Sequence, residues 1–151
     1  MILNQQREVR VALGPLESFV RRVERELGLK PSGLTVCLVS DAAMARLNQN
    51  FRKRKGPTDV LSFPTAAKQK PVHLRPRVHL ANSGRPEYWG DIAISPATAW
   101  RYAKKQERPL SSELRVLILH GVLHLLGYDH ETDQGEMDRI ERKLRARFGL
   151  T

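Results

Sequence analysis

HGVLHLLGYDH, residues 120–130, closes the most apolar run of the chain, and its reading organises everything around it. The run begins after Pro109, which opens a helix, and Gly127 ends it. His120 and His124 are one helical turn apart on one face, with Cβ atoms roughly 6 Å apart, close enough to share an ion. Gly127 is able to take the left-handed conformation that stops a helix and turns the chain, so that His130 folds back toward the pair. Three imidazoles supply three ligands, and a tetrahedral zinc keeps one position for water or substrate.

A lone histidine on an apolar face is ordinarily a hydrogen-bonded core residue. Three of the chain's five histidines at offsets of four and ten residues form a metal-site pattern instead. Unpartnered imidazoles buried in such a helix would cost about 1–3 kcal/mol each. Gly121, between the ligands, costs roughly 1 kcal/mol of helix propensity, which points to a close approach to the backbone there.

Outward from this helix the chain alternates strands and helices, then continues as helices alone. Met1 to Leu13 contains short apolar and polar alternation, at Val9, Val11 and Leu13, that suits a first strand, punctuated by Gly14-Pro15. Leu16, Phe19, Val20, Val23 and Leu27 form a helical stripe closed by Gly28, and LTVCLVS (34–40) reads as an inner strand holding the unreactive Cys37. Asp41 is expected to cap a helix whose Ala42, Met44, Ala45, Leu47 and Phe51 are packing residues. DVLSF (59–63) is a short strand, residues 65–89 a long loop, and GDIAIS (90–95) an exposed strand. Ser95-Pro96 opens a helix to about Gln106. A last helix, from Thr132 or Asp133, packs through Met137, Ile140, Leu144 and Phe148. Its Asp138–Arg142 and Glu141–Arg145 pairs at i,i+4 compensate one another and are assigned no function. The expectation is one α+β domain over residues 1–151, a mixed sheet of about four strands packed with helices.

The charge is concentrated. The formal net charge is +10. Arg46, Arg52, Lys53, Arg54, Lys55, Lys68, Lys70, Arg75 and Arg77 face only Asp59 among acids between residues 46 and 77, so this segment carries most of it. Such a segment favours a polyanionic partner. The longest uncharged stretch, Val116 to Tyr128, is shorter than the roughly 20 residues of a membrane span. With no secretory leader at Met1 and a single cysteine, a cytoplasmic location and no membrane partner are expected. A bound metal activates water near neutral pH and polarises a phosphoryl oxygen, while neighbouring cations hold the phosphates.

The histidine offsets, with their intervening glycine, are similar to those of the HExxHxxGxxH zinc peptidases, in which the second residue is the general base. Gly121 stands at that position, so peptide hydrolysis is the weaker reading. A closer resemblance joins three stretches: HGVLHLLGYDH, FRKRKGPTDVLSFP (51–64) and GDIAIS resemble the YbeY family, bacterial metal-dependent endoribonucleases of ribosomal RNA maturation. The likeness follows the order of elements along nearly the whole chain. It implies a zincin-like fold and a zinc ion on His120, His124 and His130. It further implies single-strand cleavage in late maturation of the 3′ end of 16S ribosomal RNA, a part in ribosome quality control, and contact with the small ribosomal subunit and its assembly factors.

Arg52 falls on the family's functional arginine and becomes the candidate for phosphate binding. Lys53, Arg54 and Lys55 follow where relatives often carry a glycine and an acid, and are expected to add RNA contacts. Asp129, as a candidate catalytic residue, either orients His130, handles a proton or caps the turn. His73 and His79 are a weak second candidate for metal, and Tyr88 and Trp89 are read as packing the loop onto the body. The attacking oxygen is left open between water and the RNA 2′-hydroxyl. Two further readings stand beside the nuclease: a zinc-braced ribosome-assembly factor without catalysis, and a zinc peptidase with an unconventional base.

Overall fold

The structure is a computed structural model that describes residues 1–65 and 88–150. His73, His79, Lys68, Lys70, Arg75 and Arg77 lie outside the described residues. The elements run β1 (Ile2–Asn4), α1 (Leu13–Glu26), β2 (Leu34–Leu38), α2 (Asp41–Arg52), β3 (Val60–Pro64), β4 (Gly90–Ile94), α3 (Pro96–Lys105), α4 (Leu110–Leu125) and α5 (Glu136–Arg147). The strands form a four-stranded sheet in the order β1-β2-β4-β3. β1, β2 and β4 are parallel, and β3 runs antiparallel along β4. This is the expected α+β class with a mixed sheet.

α4 is apolar on all sides and therefore sits at the centre, packed against α1, α3, α5, β3 and β4. Its Ile118, Leu119, Val122 and Leu123 are fully buried, as are Ile92 and Ile94 of β4 beneath it. Truncating any of these large side chains to alanine would cost about 2–5 kcal/mol. The opposite face of the sheet is closed by a smaller cluster, in which Met44 of α2 meets Val39, Leu61 and Ala93. Successive residues of a strand point to opposite faces, so β3 sends Leu61 and Phe63 toward α2 and Ser62 toward α4.

Several local expectations are corrected. Residues 9–13 form no strand: the buried Gln6 side chain donates to the Val9 carbonyl (2.9 Å) and accepts from its N–H (3.0 Å), satisfying the backbone that a sheet would otherwise pair. β1 lies earlier, and Gly14-Pro15 falls in the first turn of α1, where proline's missing N–H is no loss. Asp41 does not cap α2. Ser40 does, accepting from the Ala43 N–H at 3.1 Å, while Asp41 ties α2 to α3 through Ser95, Thr98 and Arg101. β4 is an inner strand rather than an exposed one, flanked by β2 and β3, with Gly90, Ile92, Ala93 and Ile94 buried and Asp91 exposed. α5 starts at Glu136 behind Gly135, and Asp133 reaches forward to accept from the Gly135 and Met137 N–H groups. Trp89 is buried and Tyr88 anchors its segment by hydroxyl contacts to Thr35 and Asp91, as expected of packing residues. Burial, and then the neighbouring Asp91, push the Cys37 thiol up, which keeps it unreactive.

Candidate metal centre

The end of α4 is built to return the chain. Gly127 has φ 98°, its N–H donates to the His124 carbonyl (3.0 Å), and the Tyr128 N–H donates to the Leu123 carbonyl (3.1 Å). These are the two bonds of a Schellman closure, sealed by the burial of Tyr128. The chain doubles back and delivers His130 to the face that carries His120 and His124. Ring centroids then stand 4.7, 5.4 and 5.5 Å apart, and one nitrogen of each ring lies within 4.8 Å of the others.

The side-chain hydrogen bonds fix which nitrogens converge. The Nδ1 of His120 contacts Glu141 Oε1 at 2.7 Å, and the Nδ1 of His124 contacts the Tyr128 carbonyl at 3.0 Å. Both partners are acceptors, so each Nδ1 carries the hydrogen. In the neutral rings both Nε2 atoms are then bare lone pairs, and they face each other at 3.1 Å. Two acceptors so placed repel unless a cation lies between them. Nitrogens bound to one tetrahedral zinc at about 2.0–2.1 Å stand roughly 3.3 Å apart, so the pair is already spaced for it. Burial, and then electrostatic repulsion from the neighbouring His120 and His130, push His124 below its ordinary pKa, toward the neutral form a metal requires. The donor set therefore fits a borderline-soft divalent ion.

From the sequence alone, pairing with Arg145 at i,i+4 is a sufficient local reason for Glu141. That pair exists, at 3.4 Å, but the other carboxylate oxygen holds His120. Burial works against its charge, yet the hydrogen bond and electrostatic attraction from His120, together with Arg145, outweigh it and hold the carboxyl below the usual range. A carboxylate behind a ligand histidine fixes its tautomer and raises its basicity. No local signal marks Glu141. Its position on α5, seven residues before Phe148 in the packing stripe, becomes meaningful only once α5 lies against α4.

Gly121 also finds its reason: a Cβ there would stand 2.8 Å from Ile92 Cγ2, and its carbonyl accepts from Ser62 Oγ at 3.1 Å. The close approach is that of α4 to β4.

The three histidines line a cleft of about 970 Å³ together with Arg52, Arg54 and Asp129. Arg52 ends α2, and Lys53 turns the chain in a left-handed conformation (φ 56°) that returns Arg54 to the same side. Both guanidiniums meet the exposed Glu131 carboxylate, at 3.5 and 4.0 Å. Lys53 folds back onto the Asn50 carbonyl (3.3 Å), and neither it nor Lys55 lines the cleft. Asp129 accepts from the Glu131 N–H at 3.0 Å, and its carbonyl receives the Thr132 and Asp133 N–H groups. It thus caps the turn on which His130 rides. No helix among the described residues is long and apolar enough to cross a membrane.

The family model described as Endoribonuclease YbeY matches residues 1–149. The Endoribonuclease YbeY of Solibacter usitatus (strain Ellin6076) is 38% identical over 135 residues, 89% of this chain and 78% of that protein. That of Koribacter versatilis (strain Ellin345) is 36% identical over 150 residues, covering 99% of this chain and 86% of its own. The solution structure of TM1509 from Thermotoga maritima superposes with a TM-score of 0.60 at 27% identity, over 99% of this chain and 90% of that one. With a match of this extent and a histidine cluster of this geometry, the chain belongs to the YbeY family.

Proposed function

We propose that this protein is a zinc-dependent endoribonuclease that cuts single-stranded RNA in the late maturation of the 3′ end of 16S ribosomal RNA and in ribosome quality control. It would act in the cytoplasm, with the small ribosomal subunit and its assembly factors as partners. The observation that carries the reading is one cleft holding three convergent imidazoles and two guanidiniums. Membership of a family described as endoribonucleases supports it.

His120, His124 and His130 would hold the zinc ion. When bound, it supplies Lewis acidity toward a phosphoryl oxygen and toward water. Glu141 keeps the His120 lone pair directed inward, and Asp129 fixes the turn that presents His130. Arg52, with Arg54, binds the phosphates flanking the scissile bond and offsets the charge that grows on the phosphoryl oxygens. A phosphate entering the cleft takes Glu131's place against these guanidiniums, exchanging one anion for another. Lys53 and Lys55, outside the cleft wall, attract the RNA at longer range.

The test incubates purified protein with 16S precursor fragments and with a peptide pool, with chelator and after zinc is restored. Zinc-restored cutting of RNA alone is expected. Cutting of neither would leave a noncatalytic assembly factor, and cutting of peptides alone a peptidase. His124→Ala should purify without zinc; full occupancy in that variant would refute the tri-histidine centre.

A further inference from the structure

Phe51 is read from the sequence as a packing residue of α2, yet 65% of it is exposed. Its ring is not isolated. It meets Phe63 of β3 edge to face, with centroids 5.0 Å apart and planes at 74°. Phe63 is itself packed against the cluster of Val39, Met44, Leu61 and Ala93, so the lower ring of the pair is anchored in the sheet. An edge-to-face contact uses at most one face of each ring. The exposure of Phe51 means that its remaining face is open.

The placement gives that face a use. Both rings line the cleft that holds the three histidines, and Phe51 immediately precedes Arg52 on the last turn of α2. A flat apolar surface beside guanidiniums is the arrangement that single-stranded nucleic acid requires: the cations track the backbone while the ring accepts an unstacked base. A double helix keeps its bases stacked and offers none. We propose that Phe51, seated on Phe63, is a base-stacking subsite that holds one nucleobase of a single-stranded RNA while Arg52 and Arg54 hold its neighbouring phosphates. This rests on the RNA-cleaving reading above and adds to it how the cleft distinguishes single strands from duplexes.

The test measures the affinity of the zinc-loaded protein for a short single-stranded RNA carrying cleavage-resistant 2′-O-methyl phosphorothioate linkages. A duplex of the same sequence and a strand with one abasic position are measured alongside. Phe51→Ala should weaken single-strand binding by about 5- to 150-fold, the range of one base–aromatic stack, and leave duplex binding unchanged. Phe51→Leu keeps apolar bulk but lacks a π-face, and should resemble Phe51→Ala. Phe51→Trp should restore affinity, with the new indole quenched on binding. An abasic position opposite the ring should weaken the wild type without weakening Phe51→Ala further. Because the side chain is mostly exposed, these variants should lose no more than the edge-to-face contact, and thermal unfolding should show them folded at the assay temperature, so that lost binding is not lost folding. Wild-type affinity in Phe51→Ala or Phe51→Leu, with RNA binding still sensitive to salt, would overturn the stacking subsite and leave the nuclease standing. Absence of RNA binding even at low salt would overturn both.

Discussion

Removing the Glu141 carboxylate should weaken zinc binding without touching a ligand atom. In the wild type its Oε1 accepts from His120 Nδ1 at 2.7 Å, and its side chain is only 12% exposed, so water does not readily replace it. A hydrogen bond to an ionised acceptor contributes about 1.5–3 kcal/mol. Loss of such a partner behind a metal ligand lowers affinity by about 10- to 100-fold, or roughly 1.4–2.8 kcal/mol, so the two scales agree. Glu141→Gln retains a carbonyl acceptor but no charge and should fall near about 10-fold; Glu141→Ala leaves His120 free to turn and should approach about 100-fold. Arg145 also loses its partner at 3.4 Å, so both variants should unfold somewhat earlier as apoproteins. Competition for zinc against a chromophoric chelator, on protein shown to be folded by circular dichroism, separates the two effects. Asp138→Asn is the control, since that residue makes an exposed pair with Arg142 on the same helix and should bind zinc normally. Wild-type zinc affinity in folded Glu141→Ala would refute the positioning role, and with it the tautomer assignment on which the fit of the site rests.

Gly121→Ala gains about 1 kcal/mol of helix propensity but sets a methyl 2.8 Å from Ile92, an overpacking cost of about 1–3 kcal/mol. Urea unfolding should show a net loss that turns into a gain when Ile92→Ala is added; the same penalty in both backgrounds would disprove the close approach. Burial opposes the charge of Asp41, but the Ser95 and Thr98 hydroxyls and Arg101 prevail and lower its pKa below the usual value. An acid depressed in the folded state contributes stability above its unfolded pKa, about 3.9, and loses it as pH falls through the folded value. The gap in melting temperature between wild type and Asp41→Asn should therefore be full at neutral pH and close below about pH 4, whereas a gap constant down to strong acid would contradict the network. Arg52→Glu should keep zinc yet bind single-stranded RNA more weakly, with a log–log salt slope shallower by about 0.7 for each phosphate no longer neutralised; an unaltered slope would remove Arg52 from phosphate binding.

The metal cluster was legible because its geometry is local. Two ligands are set by helical periodicity, and the third by a glycine that closes the same helix, so eleven consecutive residues specify the whole constellation. The α+β class was legible for a similar reason, since the apolar run of α4 and the β-branched LTVCL announce a buried helix and an inner strand. What failed depended on partners distant in sequence. Gln6 satisfies the Val9 backbone with a side chain, which alternation at Val9, Val11 and Leu13 does not register. Asp41 has the chemistry of a cap, but Ser95 and Thr98, more than fifty residues away, claim its carboxylate. Phe51 lies on the helical stripe of Met44 and Leu47, but α2 runs beyond the cluster that those residues enter, leaving its last aromatic in the cleft.

Gly121 bears on the chemistry more than its missing side chain suggests. In a helix of this pattern a glutamate at that position would serve as the base for peptide hydrolysis. Here the position is occupied by packing: a side chain of any size would strike Ile92, and the carbonyl is engaged by Ser62. A glutamate could enter only if Ile92 gave way or α4 lifted from β4, and lifting would displace the two ligands that α4 carries. Among the described residues, the carboxylates that line the cleft are Asp59, Asp129 and Glu131. Asp129 is bound to the turn, Glu131 faces Arg52 and Arg54, and Asp59 accepts from the Thr58 hydroxyl at 3.4 Å. The helix thus carries no peptidase base at position 121 and lies close on the sheet, while α2 brings guanidiniums to the same cleft. That exchange suits a phosphodiester better than an amide: an amide needs a proton carried from water to its leaving nitrogen, whereas the anionic phosphodiester first needs its charge balanced before any oxygen can approach phosphorus.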